Sequence, residues 1–454
     1  MSKPKNLVIC CDGTNNQIAG PPTNVRRLYS MLVRDSEQVT YYDSGVGTTP
    51  AADFITDWGR TLGKSLDGAI GLSIRHHMLK AYRWLVTHFE PGDRIWLFGF
   101  SRGAYTARAL AAALSAFGLL RPELLGLEDL LWENFALKYT KPPASKKSQP
   151  NKVDKGRMKD DDADDDAAES EESESMEGGR CRKVSDIKKK PNLFQTAGQF
   201  RTSFGRTDDP SWSTGNSHRV RIHFCGVWDT VSAFGTIMDQ KTLPFTSHCP
   251  SLVHVRHAMA LDERRTMFRA NLFRFKNGPK FLESLKQVWF PGVHSDVGGG
   301  YDVAHSGLAK VALEWMLGEA ESLGLRIDPR KREEIMGGSR KHRREHGPAA
   351  DPCAEIHESL VGLWNMVELL PTRRFAGEGE MGVFPPNLWR PRPVLNFDMT
   401  GQKADPVIHQ SVLTRMRSCP GYQPRNLPPE GNYAVEPPEV NDKSRGAAPP
   451  TALA

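Results

Sequence analysis

The sequence predicts an α/β protein with a mostly parallel central sheet flanked by helices and interrupted by a charged insertion. Three observations carry this reading. Short apolar strands alternate with helix-period segments over the first hundred residues. The run Arg94 to Phe100 is apolar almost throughout, as a strand covered on both faces must be. The same rhythm resumes beyond residue 190, after a stretch in which about half of the residues are charged, in basic, acidic and again basic blocks.

Taken in order, Asn6 to Cys11 reads as the first strand, followed by a polar turn and a helix-period segment over Asn24 to Val33. A second strand, Gln38 to Tyr42, runs into Asp43, Gly45 and Gly47. Leu66, Ile70, Ile74, Met78, Leu79, Tyr82 and Leu85 then fall near one face of a helix from about Ser65 to Phe89, which Pro91 and Gly92 stop. The apolar strand Arg94 to Phe100 passes without a linker into an alanine-rich helix, Arg102 to Ala116. Later elements are a strand at Val220 to Trp228, a helix near Leu252 to Leu261, a strand near Gln287 to Phe290 and a helix from Leu308 to Leu323. The basic run Arg330 to Arg344 reads as a solvated loop, with contact to anionic lipid head groups as its alternative. The tail beyond Asn426, rich in Pro and Gly, reads as loose.

Composition excludes several classes. The chain has 454 residues and a formal charge of +6 built from mixed-sign runs, unlike the concentrated basic face of a nucleic-acid binder. Seven cysteines with no CxxC pair point to reduced, mostly buried thiols, so neither a zinc site nor a disulfide framework is expected. The apolar run Leu7 to Cys11 ends at Asp12, too soon for a signal-peptide core, and no apolar stretch reaches membrane-spanning length. The expectation is a soluble, cytoplasmic protein, with signal-independent secretion left open. Blocks of like charge between 141 and 190 repel and cannot build a core, so that insertion is expected to be disordered.

The strand-to-helix junction carries the chemistry. Gly99-Phe100-Ser101-Arg102-Gly103 fits G-x-S-x-G, in which a serine on a strained turn is pushed into the open and the flanking glycines remove Cβ clashes. Such a string is expected about 0.2 times by chance in a chain of this composition, so its context matters more than the match. Here an apolar strand ends at it and a small-residue helix begins at it, which is the setting of the nucleophile elbow in an α/β-hydrolase. The N–H of Arg102 would be one oxyanion donor, and the turn Asp12-Gly13-Thr14 supplies the second through Gly13 or Thr14; its alternative reading is an ordinary Asp-Gly turn.

A serine hydroxyl needs a histidine to take its proton and a carboxylate to orient that histidine, in the chain order Ser, acid, His. Asp229 directly follows the buried-looking strand Ile222 to Trp228 and is the expected acid; Asp262 and Asp209 are the alternatives, read as solvated. His294, in the glycine-rich loop Pro291 to Gly300, is the expected base, with Asp12 and Asp296 supporting the site from outside the triad. Phe100, Trp228, Phe234 and Trp289 either line an apolar substrate pocket or belong to the core.

These motifs resemble the catalytic domain of the type VI secretion phospholipase effectors and their uncharacterised bacterial and fungal relatives. The resemblance rests on Cys11-Asp12-Gly13-Thr14-Asn15-Asn16, the segment Tyr42 to Thr48, the elbow, Gly226-Val227-Trp228-Asp229-Thr230-Val231 and Trp289 to Tyr301, and it covers most of residues 5 to 325. It implies an α/β-hydrolase domain with Ser101, Asp229 and His294 as its triad, and phospholipase A activity without a required metal or cofactor. The chain departs from the effectors in its insert after residue 140 and in lacking a long extra region for membrane anchoring or secretion, so the resemblance implies the chemistry and leaves an antibacterial effector role open. The segments Ile408 to Val412 and Tyr422 to Pro428 are similar to the C-terminal part of family members.

The resulting expectation is a catalytic domain from residues 1–140 and 191–325, a C-terminal extension at 326–425 packed on it, and a flexible tail at 426–454. Its substrate would be a lipid ester met at a membrane surface. A water-soluble ester or thioester, or a non-catalytic scaffold on the same fold, are the competing readings.

Overall fold

A computed structural model of the chain describes residues 3–13, 20–45, 65–131 and 193–437, apart from 207, 210–212, 215–216, 219, 232–233, 237–238, 242–245, 276–277, 280, 363, 370–371, 378–379 and 385–389. The expected disordered insertion at 141–190, the side chain of Phe234 and Thr14 fall outside the described residues.

The elements run β1 (Asn6–Cys11), α1 (Asn24–Met31), β2 (Gln38–Asp43), α2 (Ser65–His88), β3 (Arg94–Phe100), α3 (Arg102–Phe117), α4 (Leu193–Phe204) and β4 (Ile222–Trp228). They continue through β5 (Leu252–Ala260), β6 (Ser284–Phe290), α5 (His294–Gly298), α6 (Gly307–Ser322), α7 (Pro329–Ile335), α8 (Arg340–His346), β7 (Val407–His409), α9 (Gln410–Ser418) and β8 (Ala434–Glu436). Strands β1 to β8 form one sheet in the order β8-β7-β6-β5-β4-β3-β1-β2, and every neighbouring pair is parallel. A smaller four-stranded sheet gathers Phe234–Thr236, Asp239–Lys241, Thr372–Gly377 and Glu380–Phe384.

Both faces of the large sheet are buried, which is why its central strands are apolar without alternation. Leu7, Ile9, Ile95 and Leu97 join one core with α2 and α3. Val8, Cys10, Trp96 and Phe98 join the other with α1 and α6. Helix α3 is buried along its length from Gly103 to Phe117 and packs on β3, α2 and α4; its alanines let these backbones approach closely.

Two segments differ in kind from the sequence reading. Leu252 to Leu261 is expected as a helix, but Leu252–Ala260 is a central strand paired with β4 and β6. A fully buried strand has no two-residue period to betray it, and this one also carries His254, Arg256 and His257, which blur the apolar run. Those side chains are bonded inside the protein: Arg256 pairs with Glu319 and donates to Ser284 Oγ (2.9 Å), and His257 Nε2 accepts the Thr230 N–H (3.2 Å). The basic run expected as a loop instead forms α7 and α8, each started by a side-chain cap, from Asp328 and Ser339.

The expected boundaries at 325 and 426 are crossed by the sheet itself. β7 extends it beside β6, and β8, drawn from the segment expected to be a flexible tail, forms its edge. Among the described residues, no helix is long and apolar enough to cross a membrane.

Candidate active site

Strand β3 ends at Phe100, and Ser101 turns the chain into α3 with φ 56° and ψ −121°, a left-handed conformation costly for a residue with a Cβ. The turn is held because the Ser101 N–H donates to the Trp228 carbonyl (3.2 Å) and neighbouring backbone leaves no space for relaxation. A Cβ on Gly99 would lie 2.6 Å from Ala104 Cα, and one on Gly103 would strike the carbonyls of Cys11 and Asp12. Both glycines of the motif therefore serve close packing, Gly103 against the end of β1.

Neighbouring strands deliver the other two groups. Asp229 follows β4, also at positive φ (33°), and is fully buried. His294 begins α5 after β6 and is 4% exposed. The Ser101 hydroxyl donates to His294 Nε2 (2.8 Å), and His294 Nδ1 donates to Asp229 Oδ2 (2.6 Å). With Nδ1–H turned to the carboxylate, Nε2 is the acceptor that a serine proton requires. Burial lowers the pKa of His294 below its ordinary value, against the opposing pull of Asp229, so the ring is neutral at pH 7. Burial alone would raise the Asp229 carboxyl, but the Arg392 charge and the hydrogen bonds from His294 and Arg392 outweigh it and hold the group well below the usual carboxylate range.

The His294 loop is clamped by three carboxylates. Asp262 accepts the Gly292 N–H (2.6 Å), Glu263 the His294 N–H (3.2 Å) and Asp296 the Val293 N–H (3.0 Å). Each is held in turn: Asp262 by the Tyr422 hydroxyl (2.9 Å), Glu263 by Arg265 (2.9 Å) and Ser359 (3.0 Å), Asp296 by His357 Nδ1 (2.6 Å). The expected glycine-rich loop is thus partly a short helix with braced amides. Asp262, expected to be solvated, is half-buried in this clamp, and Asp209 is buried far from it, accepting the Gly92 N–H (2.8 Å).

The turn after β1 lies beside the elbow, as expected of the strand next to β3, but Gly13 needs a correction. Its N–H donates to Asp12 Oδ1 (2.7 Å), so this amide is already committed and is not open to an oxyanion. Asp12 also accepts the hydroxyls of Thr23 (2.8 Å) and Tyr42 (2.6 Å) and acts as a brace for its own loop. The Arg102 amide lies in the first turn of α3, where no intrahelical acceptor exists. Trp228 and Trp289 are core residues, 0% exposed, while the Phe100 ring lies against the His294 imidazole (4.7 Å between centroids).

Among the described residues, Glu334, Glu345 and His346 are the trio that could hold a metal ion; they lie around α7 and α8 rather than at Ser101. A cavity of about 510 Å³ nearby is walled by Arg26, Arg27, Asp302, Ile335 and His346, and none of Ser101, Asp229 or His294 lines it. Arg392, Glu263, Ser359 and His357 are missed by sequence reasoning, since none carries a local motif, and Tyr422 stands in the segment similar to family members but with no role read for it.

A fully parallel sheet with a serine on a positive-φ strand-to-helix turn, linked through histidine to aspartate, defines an α/β-hydrolase-type protein. The chain belongs to the family described as "T6SS, Phospholipase effector Tle1-like, catalytic domain", which matches residues 5–319 and is the family expected from the motifs. It is 31% identical over 281 residues to "Uncharacterized protein YEL023C" of Saccharomyces cerevisiae, covering 60% of this chain and 33% of that protein. The chain therefore spans about a third of the length of this curated relative. Among solved structures it is similar to an uncharacterized protein from Pseudomonas aeruginosa (18% identity, 77% of this chain and 49% of that chain, TM-score 0.39). It is also similar to the Tle1 effector bound to the VgrG spike of the type 6 secretion system (13% identity, 96% and 94%, TM-score 0.34).

Proposed function

We propose that this protein is a serine esterase that cleaves acyl esters of lipids, phospholipids foremost, in the manner of a phospholipase A. The single observation that carries the reading is the hydrogen-bonded chain from Ser101 through His294 to Asp229, at 2.8 and 2.6 Å, with the serine on its strained turn.

In this mechanism Ser101 Oγ attacks the acyl carbonyl while its proton passes to His294 Nε2. Asp229 keeps the imidazole in register and stabilises the imidazolium. The carbonyl oxygen, now an anion, is held by the Arg102 amide, with Thr14 as the second donor. Collapse of the intermediate expels the alcohol, which takes the proton from His294 and leaves an acyl-Ser101. A water deprotonated by His294 then releases the fatty acid and restores the hydroxyl.

Two features favour a lipid over a soluble ester. The family is one of phospholipases. The exposed cations Arg340, Lys341, Arg343 and Arg344 on α8, with Arg330 and Lys331 on α7, outnumber the exposed Glu333 and Glu345 of the same helices and give this region a positive charge suited to anionic head groups. α8 ends against α6 and the segment that follows the His294 loop in the chain: Lys310 Nζ donates to the carbonyls of His346 (2.9 Å) and Pro348 (2.7 Å), and the backbone of Gly347 abuts the Val303 carbonyl.

The test is hydrolysis of a lipid panel and of a short-chain soluble ester by wild type and Ser101→Ala. Release of fatty acid from phospholipid by wild type, lost in the variant by about 10⁴-fold or more, is the expected result. Cleavage of the soluble ester alone would replace the lipid reading. Equal activity in the variant, or none in either protein, would reject the mechanism.

A further inference from the structure

Asp229 is contacted by a side chain that comes from beyond the family-matched region. Arg392 is 4% exposed, and its guanidinium forks onto the carboxylate: Nη1 donates to Oδ1 (2.6 Å) and Nη2 to Oδ2 (3.2 Å). Nη2 also donates to the Phe268 carbonyl, and the Phe268 ring stands edge-on to the His294 imidazole (4.9 Å, 71°). Oδ1 takes a further bond from the Ala260 N–H (3.0 Å). Both oxygens of the acid are thus saturated, one by backbone and Arg392, the other by His294 and Arg392.

The backbone that presents this fork is itself pinned. Pro391 and Pro393 flank Arg392, restricting the chain to extended conformations. The Arg392 carbonyl accepts from Asn426 Nδ2 (2.9 Å), which also donates to the Leu261 carbonyl (2.9 Å) at the end of β5. The Leu395 carbonyl accepts from Trp289 Nε1 (3.1 Å), and Val394 joins a small core with Trp289, Ile408 and Val412. β7 and α9, which carry Ile408 and Val412, are therefore part of what aims the guanidinium.

The charges around His294 leave a specific balance. Asp229 faces Nδ1 and is matched by Arg392. Glu263 accepts the His294 N–H and is matched by Arg265, whose guanidinium lies over the Phe268 ring (3.5 Å). Asp296 and Asp262 hold the flanking amides and are bonded to His357 and Tyr422. His257, behind Asp229, accepts the Thr230 N–H and is held neutral by burial. Phe100 and Phe268 on the ring faces carry no charge. With both nearest carboxylates already paired, a proton on His294 would add an unmatched positive charge to a buried site.

We propose that Arg392 is a positioning residue for this site: it keeps Asp229 ionised and in register with His294, and by matching its charge it sets how acidic the solution becomes before the base is lost. This rests on the serine-esterase reading above. A purely structural role for Arg392 would change stability and overall rate but leave the pH dependence alone.

The experiment follows fluorophosphonate labelling of Ser101 from pH 4 to 8 in wild type, Arg392→Lys, Arg392→Met and Arg392→Ala, with circular dichroism of each. In Arg392→Met the unmatched Asp229 charge favours imidazolium, so the acid limb of the labelling rate moves up by roughly one pH unit and the plateau falls roughly 10- to 100-fold. Arg392→Lys keeps the charge but not the fork: its limb stays within about 0.3 pH unit of wild type while its plateau falls. Low millimolar guanidinium restores part of the Arg392→Ala rate. A folded Arg392→Met with the wild-type limb overturns the inference. If Arg392→Met does not fold, a wild-type rate in Arg392→Lys together with no guanidinium rescue of Arg392→Ala overturns it equally. A wild type that is not labelled at Ser101 sinks the esterase reading and this inference with it, whereas a labelled wild type with an unmoved limb sinks this inference alone.

Discussion

Replacing Asp229 by Asn separates the two jobs that the structure gives this carboxylate. Asp229 accepts four hydrogen bonds, from Ala260 N, His294 Nδ1 and both terminal nitrogens of Arg392. An asparagine has one oxygen to offer. If that oxygen serves Ala260 and Arg392, its NH₂ faces His294 and forces the imidazole to accept at Nδ1, which puts the proton on Nε2 and removes the base; a loss of about 10⁴-fold in kcat is the scale of that tautomer change. The same substitution strips Arg392 of its counterion, and an uncompensated buried guanidinium costs about 3–5 kcal/mol. Spread over a domain of this size, that is a fall in Tm of roughly 5–10 °C. Ester hydrolysis and thermal unfolding of Asp229→Asn measure both effects. Adding Arg392→Met to the same chain should recover about half of the lost Tm, because the orphaned charge is gone, without recovering activity. An Asp229→Asn variant within about 1 °C of the wild-type Tm would refute the pairing.

Two further outcomes are expected. His257 and His409 are lowered by burial to about 3 and about 4, below the value of about 6.5 for an unfolded histidine, so the unfolded chain binds more protons once the pH falls below 6.5. Their contribution is intact above that pH and is lost as it falls toward 4, so Tm should decline steadily from pH 6.5 to 4.5, by roughly 1–3 kcal/mol of stability per pH unit; a flat Tm over that range would contradict it. Reversing Arg340, Lys341, Arg343 and Arg344 to Glu should cut hydrolysis of anionic vesicles by roughly 10- to 100-fold at low salt while sparing a soluble ester. Equal loss on both substrates would mean that α8 supports the fold rather than the lipid surface.

The legible parts of this protein are those whose information is local. Strands β1, β3 and β4 and helices α2, α3 and α6 stand out because apolar period and stop signals lie within each segment. The elbow is legible because a strained turn needs small residues on both sides of Ser101, and these are neighbours in the chain. Asp229 and His294 follow from chain order and from their places just after strands, where a parallel sheet exposes its loops. The family is legible through the same motifs.

The illegible parts depend on partners distant in sequence. Whether Leu252–Ala260 becomes strand or helix is decided by the backbone groups that β4 and β6 present to it. β7 and β8 have three residues each, too few to show a period, and they exist because the edge of β6 offers unpaired donors and acceptors. Asp262 looks like a solvated charge until Tyr422 and Gly292 enclose it, and the Gly13 amide looks available until Asp12 folds back on it. Arg392 resembles any other arginine in the chain. Thus the sequence alone determined the α/β class and the elbow and pointed to Ser101, Asp229 and His294 as the groups the proposed mechanism uses, while tertiary structure decided which charges surround them. A turn is specified by the steric limits of adjacent residues, whereas an ion pair is specified only when packing removes water from between groups that the chain had left 163 residues apart.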